Sequence, residues 1–148
     1  MSSFAIAADH AGVALKAELV VELRKLGHEV NDLGPDSTAS VDYPDFASKL
    51  TSLVTRGAPA LGILVCGTGI GMSIAANKVP GIRAAVCRTE YEARLTRMHN
   101  DANVLCLGSR VTGNGVALEI AKVFLGTAFE GGRHQTRLDK VKALEALR

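Results

Sequence analysis

Apolar runs of about five residues alternate along the chain with longer stretches whose apolar positions recur every three or four residues. The first pattern predicts buried strands and the second amphipathic helices. Residues 4–8 form the first short run, which ends in Asp9-His10-Ala11-Gly12. Over residues 13–26, Leu15, Leu19, Leu23 and Leu26 share one face, with Lys16, Glu22 and Lys25 off it, so a helix is expected that Gly27 stops. A second strand is expected over about 28–33, then a polar loop of turn formers over 34–42. The next helix starts near Tyr43-Pro44 and ends at Arg56-Gly57. A strand over 61–66 runs through a glycine-rich turn into a helix over about 71–78, closed by Pro80-Gly81. The pattern continues with a strand over 83–87, a helix over about 90–98, a strand over 104–107 and a helix over about 114–125. Gly131-Gly132 precedes a basic last helix over about 134–147.

Strand alternating with helix throughout implies a parallel sheet covered on both faces, an α/β protein built as a three-layer α/β/α sandwich with a C-terminal helical extension. In such a fold every strand-to-helix loop lies at the carboxyl edge of the sheet. Asp9, His10, Tyr43, Cys66, Gly67, Gly69, Gly71 and Arg110 can therefore share one crevice. His99-Asn100-Asp101 is expected in a helix-to-strand loop at the opposite edge, a strand length away from Cys66 of the same chain. If His99 works with Cys66, another subunit supplies it, and oligomerisation becomes a condition of activity.

The chemistry centres on Ile63-Leu64-Val65-Cys66-Gly67-Thr68-Gly69-Ile70-Gly71-Met72-Ser73. Glycines at alternate positions let the backbone bend tightly and bring several N–H groups close to a ligand, with a helix N-terminus behind them. Cys66 ends the strand at the edge of this cradle, where the helix end and converging amides favour the thiolate. Four readings are open: a core cysteine before a glycine-requiring loop, a dinucleotide site, a cysteine phosphatase loop, and a thiolate base or nucleophile beside an oxyanion site. Met72 stands where the dinucleotide fingerprint needs its third glycine, and also where a phosphatase loop needs its arginine. A non-catalytic nucleotide- or phosphate-binding module with an inert Cys66 is the alternative from a different class.

With 148 residues, 47% of them hydrophobic and 22% charged, residues 1–148 make one ordinary domain with length enough for a single core. A net charge of +2 with dispersed basic residues, and only 4% aromatics, argue against nucleic acid as a partner. Cys66, Cys87 and Cys106 fall singly in apolar runs, with no C-x-x-C, as in reduced cytosolic proteins. The chain enters a strand without a charged leader, and no apolar run approaches membrane length, so a soluble cytoplasmic protein is expected. His10, His28, His99 and His134 are scattered without metal-ligand spacing, so no metal site is evident.

Other polar candidates each have a plain alternative. Asp9 suits a helix N-cap, and His99-Asn100-Asp101 suits a helix C-terminal cation followed by turn formers. Tyr43 fits a half-buried residue before a helix. Arg133 and Arg137, four apart with His134 between them, fit a solvated face or a site for a phosphate dianion, whose oxygens a guanidinium binds bidentately.

Taken together, D-H-A-G at Asp9, D-Y-P at Asp42, I-L-V-C-G-T-G-I-G-M-S-I-A-A-N-K from Ile63, G-I-R-A-A-V-C from Gly81, R-M-H-N-D-A-N-V-L from Arg97 and E-G-G-R-H-Q-T-R from Glu130 resemble ribose-5-phosphate isomerases of the B type. Related galactose-6-phosphate and allose-6-phosphate isomerases share the pattern, and the likeness covers nearly the whole chain. It implies a Rossmann-like domain of five parallel strands, a homodimer or dimer of dimers with sites at the dimer interface, and interconversion of D-ribose 5-phosphate and D-ribulose 5-phosphate without cofactor or metal. By the same resemblance Cys66 matches the base that moves the proton between C1 and C2. Some family members place a glutamate for that task in this loop, where Met72 stands here. Gly67, Gly69, Ile70 and Gly71 match backbone donors around the enediolate, and Thr68 the hydroxyl that assists transfer between O1 and O2. His99 matches the acid that opens the sugar ring and Asn100 a sugar ligand. Asp9, His10 and Tyr43 match substrate contacts, and Arg110, Arg133, His134 and Arg137 the polar and phosphate-binding set. The resemblance leaves hexose 6-phosphates open as alternative substrates.

Overall fold

A computed structural model describes residues 2–147. Five strands and six helices follow one another: β1 (Ser3–Ala8), α1 (Val13–Lys25), β2 (Glu29–Asp32), α2 (Tyr43–Val54), β3 (Gly62–Cys66), α3 (Ile70–Asn77), β4 (Ala84–Val86), α4 (Glu90–Asn100), β5 (Val104–Gly108), α5 (Asn114–Gly126) and α6 (Arg133–Ala143). A 3₁₀ turn, Leu144–Leu147, ends the described chain. The sheet runs β2-β1-β3-β5-β4 with every pair parallel. This is the three-layer α/β/α arrangement expected from the alternation of elements.

The central strands are apolar on both faces because helices cover both. From β3, Ile63 and Val65 point into one core layer with Leu15, Leu19, Ile120 and Phe124, while Leu64 and Cys66 enter the other with Leu50, Met72 and Ala76. Fully burying one such aliphatic or aromatic side chain contributes about 1.5–3 kcal/mol, so these two layers hold the sheet between its helices. Gly62 opens β3 because a Cβ there would lie 2.5 Å from the Leu50 side chain; its absence lets α2 settle against the strand. The edge strands are shorter than the sequence suggests: β2 is confined to Glu29–Asp32 and β4 to Ala84–Val86, with half-covered side chains in β4. The helix begun at Tyr43 stops at Val54, before Arg56-Gly57, and the last helix gives way to 3₁₀ geometry after Ala143.

One difference matters for the site. Helix α4 runs through His99 and Asn100, which were expected in a loop. Asp101 ends it in the left-handed conformation at φ 44°, which Asp tolerates better than most residues. Arg97 and Arg83 hold that cap: Arg97 Nη1 donates to Asp101 Oδ1 at 2.9 Å and to the Ala102 carbonyl at 2.6 Å, and Arg83 Nη2 donates to the Asp101 carbonyl at 2.9 Å. His99 and Asn100 thus ride on a rigid helical turn.

Candidate active site

In an open α/β sheet, loops diverge where successive connections leave in opposite directions, and the crevice forms at the carboxyl ends there. Here that point lies between β1 and β3, the strands that end at Ala8 and Cys66. The chain around it is knitted by backbone bonds. Asp9 N–H donates to the Val65 carbonyl at 3.1 Å, Ser109 N–H to the Cys66 carbonyl at 2.8 Å, and Arg110 N–H to the Gly67 carbonyl at 2.9 Å. Ser109 Oγ donates to the Ala11 carbonyl at 2.7 Å, tying the loop after β5 to the loop after β1. Two glycines make this closeness possible: a Cβ at Gly12 would collide with the Val65 carbonyl, and one at Gly108 would come within 2.6 Å of Thr68 backbone.

Cys66 sits at the mouth of β3 and is only 5% exposed, whereas Cys106 is fully enclosed. The Gly69 N–H donates to Cys66 Sγ at 3.1 Å, so the sulfur faces the glycine loop that covers it. Gly69 is the N-cap of α3 and holds φ 81°, a left-handed conformation that suits glycine. Its turn directs its amide back to the sulfur and starts α3 at Ile70. Beyond it the Ile70 N–H donates to the exposed Thr68 Oγ1 at 3.2 Å. The other two cysteines are unsuited to thiolate chemistry. Burial, reinforced by Glu92, pushes the Cys87 thiol up to about 12, and burial raises Cys106 as well.

The remaining carboxyl-edge residues close around this turn. Asp9, nearly buried, accepts on Oδ1 from the amides of Ala11 (2.9 Å) and Gly12 (3.1 Å). The N-cap of α1 is Gly12, so Asp9 braces the preceding turn and does not cap the helix. His10 Nδ1 accepts from the Val41 N–H at 3.2 Å, which orients the ring and leaves the proton of the neutral imidazole on Nε2. The Tyr43 ring, 40% exposed, lies against Gly71, where a Cβ would meet it at 2.9 Å. The Arg110 side chain lies over Gly67, where a Cβ would stand 3.3 Å from Nη1. A sulfur, a hydroxyl, backbone amides, an imidazole and a guanidinium thus line one edge: a base, hydrogen-bond donors and an anion ligand.

A second group gathers at the amino edge. In the register of β3 with β5, Cys66 pairs with Gly108 and Gly62 with Val104, so the start of β5, just after α4, lies four residues along the sheet from Cys66. At about 3.3 Å per residue that is roughly 13 Å. His99, on the last turn of α4, stacks on His134 of α6 with ring centroids 4.3 Å apart and planes at 14°. The Glu130 N–H donates to the Met98 carbonyl at 3.1 Å and pins the start of this segment to α4. His134 is buried, while Arg133 and Arg137 are exposed on the same helix. Burial first, then the neighbouring His99 and Arg133, lowers the His134 pKa from the ordinary histidine value. Asn100, exposed, accepts from Thr96 Oγ1 at 3.1 Å. A cavity of about 600 Å³ also opens at this edge, between α3, β4, α4 and α6, and is lined by Asn100 but not by Cys66.

One chain therefore presents the expected residues as two groups at opposite edges. Glu130 and Ser109 were missed by sequence reasoning: Glu130 approaches His134 across the Gly131-Gly132 joint, and Ser109 bridges two loops nearly a hundred positions apart. Only the four-residue spacing of Glu130 and His134 offered a signal for the former. The scattered histidines gave no sign that His99 and His134 meet. Among the described residues, no helix is long and apolar enough to cross a membrane.

Known proteins share this architecture over its whole length. Ribose-5-phosphate isomerase B of Escherichia coli (strain K12) is 49% identical over 148 residues, covering 100% of this chain and 99% of that protein. The solved structure of Clostridium thermocellum ribose-5-phosphate isomerase B superposes with a TM-score of 0.96 at 51% identity, covering 98% of each chain. That of ribose-5-phosphate isomerase B from Mycoplasma genitalium with bound ribulose-5-phosphate superposes with a TM-score of 0.93 at 44% identity, covering 99% of this chain and 97% of that one. The ribose/galactose isomerase family model matches residues 4–141, and the chain belongs to that family.

Proposed function

We propose that the chain is an aldose-ketose isomerase that interconverts D-ribose 5-phosphate and D-ribulose 5-phosphate through an enediolate. The single observation that carries this reading is the Cys66 sulfur at the carboxyl end of β3, 3.1 Å from the Gly69 amide nitrogen, at the sheet's switch point. The relative solved with ribulose-5-phosphate supports the choice of substrate. Cys66 as thiolate takes the proton from C2 of the open aldose and returns it to C1, giving the ketose. Charge that grows on the substrate oxygen is met by the amides of Gly67 and Gly71, and by those of Gly69 and Ile70 once the substrate draws them from Cys66 Sγ and Thr68 Oγ1. Thr68 assists proton transfer between O1 and O2. Near-complete enclosure of the sulfur keeps water from competing for the carbanion and strengthens each of these contacts.

His99 opens the furanose ring and Asn100 holds a sugar hydroxyl; Asp9, His10 and Tyr43 contact the sugar. Arg110, Arg133, His134 and Arg137 take the phosphate. That end is remote from the reacting carbons, so its binding energy orients the substrate. The roughly 13 Å offset between the two groups within one chain supports a homodimer, alone or paired into a tetramer, in which His99 and α6 of one subunit complete the crevice at Cys66 of the other. Three free cysteines support a reducing, cytoplasmic location.

A coupled assay comparing turnover of ribose 5-phosphate, allose 6-phosphate and galactose 6-phosphate tests the substrate. Ribose 5-phosphate should give the highest kcat/KM; a hexose phosphate in first place would replace the pentose assignment, and no turnover on any of the three would remove the isomerase reading.

A further inference from the structure

The stacked histidines hold an unusual polar atom. His134 is 5% exposed, and its Nε2 is fully enclosed without a hydrogen-bond partner. Glu130 Oε2 lies 3.5 Å from that nitrogen and makes no hydrogen bond to it. Leaving a buried ring nitrogen unpaired is costly, so something that pairs with it is favoured. One donor atom from each of His99, Glu130 and His134 lies within 4.8 Å of the other two. Tetrahedral zinc with bonds of about 2.0–2.1 Å needs donors about 3.4 Å apart, so each pair must close by about 1.4 Å at most. The side chains can supply that movement unequally. His134 is the fixed anchor, Glu130 is exposed and His99 half-exposed, and the rings need only fan out from their near-parallel stack.

We propose that His99, Glu130 and His134 form a site for a borderline divalent transition metal of the zinc class, and that filling it inhibits the enzyme by withdrawing His99 from the substrate. Two imidazoles and a carboxylate with an open fourth position are a donor set that zinc accepts. The guanidiniums of Arg133 and Arg137 on the same helix oppose a bound cation. The ion is therefore a reversible occupant and not a structural one, and the isomerisation itself does not use it. Metal and phosphosugar compete, since Arg133, His134 and Arg137 are proposed to hold the phosphate. The inhibition rests on the role proposed for His99; metal binding by the three side chains does not.

The test is a titration of the full chain with Co²⁺ and Zn²⁺ against a chromophoric chelator, with Cys66→Ser as background to remove the competing thiol. A single ion per chain is expected, with cobalt d–d bands of tetrahedral character and no thiolate charge-transfer band. Glu130→Gln and His134→Phe, the latter keeping the ring stack, should each weaken binding by at least about tenfold, since loss of even a ligand's outer-shell partner costs that much. Glu130→Gln should keep wild-type turnover in metal-free buffer while needing at least about tenfold more zinc for half inhibition. Loss of stoichiometric binding in Cys66→Ser, a thiolate band, or full affinity in either ligand variant overturns the site. Binding without inhibition would overturn only the part that depends on His99.

Discussion

Gly69→Ala tests the geometry that holds the Cys66 sulfur. Gly69 sits at φ 81°, and an alanine held there pays about 1–2 kcal/mol for the left-handed conformation. Its Cβ would stand 3.1 Å from the Leu107 carbonyl carbon and 3.3 Å from that of Cys106, backbone atoms of a central strand that cannot swing aside. Forcing that contact adds about 1 kcal/mol or more, as small overpacked substitutions do. The sum is about 2–4 kcal/mol. For a chain of this size each kcal/mol lowers Tm by about 2–4 °C, so a fall of roughly 5–15 °C is expected in calorimetry. Relief of the strain moves the loop away from β5, which carries the Gly69 N–H off the sulfur, so kcat should fall more than KM rises. Gly115→Ala is the matched control. Its Cβ meets nothing within 4 Å in helix α5, and it should raise stability by about 0.5–1 kcal/mol without touching turnover. If Gly69→Ala melts within about 1 °C of the wild type and turns over normally, the strand-to-helix turn does not set the sulfur's partner and the reasoning fails.

Four further outcomes follow from the same structure. Mixing inactive Cys66→Ala and His99→Ala subunits should restore part of the activity; no recovery despite proven subunit exchange, measured with tagged chains, would place the site within one chain. Native alkylation should modify Cys66 alone, because Cys87 at about 12 and Cys106 above its ordinary value stay protonated and enclosed, whereas unfolded protein should take three adducts per chain by mass spectrometry. Asp32→Ala leaves the buried Lys16 ammonium, now held by both Asp32 oxygens at 2.7 and 2.9 Å, without its partner; a loss of about 2–3 kcal/mol in denaturant unfolding is expected, below the fully buried case because Asp32 is partly exposed. His134 has a folded-state pKa below its ordinary 6.5, so the unfolded chain takes up the proton first and stability falls as pH drops from about 6.5 through the lower folded value; in chelator-treated buffer His134→Gln should lose that part of the acid dependence.

The interior strands were legible because both of their faces are covered, which leaves an uninterrupted apolar run in β1, β3 and β5. The edge strands were not bounded as well: β2 and β4 pair on one side only and carry polar or half-exposed positions, so neighbours rather than composition fix their ends. The end of α4 was misplaced because Asn100 and Asp101 read as turn formers after a C-terminal cation at His99, whereas the stop is set by the conformation of Asp101 and the two arginines that hold it. At the site, alternation of strand and helix was enough to bring Asp9, His10, Tyr43, Cys66 and Arg110 to one edge. Nothing in the periodicity could show that His134 stacks on His99, since that depends on how the Glu130 segment docks on Met98 before α6 begins. The turn at Gly69 was legible as a backbone feature, but its direct bond to the sulfur required the structure.

The most direct test of the role of Cys66 is proton exchange into the sugar itself. Ribulose 5-phosphate incubated in deuterated buffer should gain deuterium at C1, and its product at C2, when the wild-type chain is present. Cys66→Ser and Cys66→Ala should bind the phosphosugar yet incorporate none above the uncatalysed rate by proton NMR. Continued enzymatic incorporation in those variants would mean that another group moves the proton.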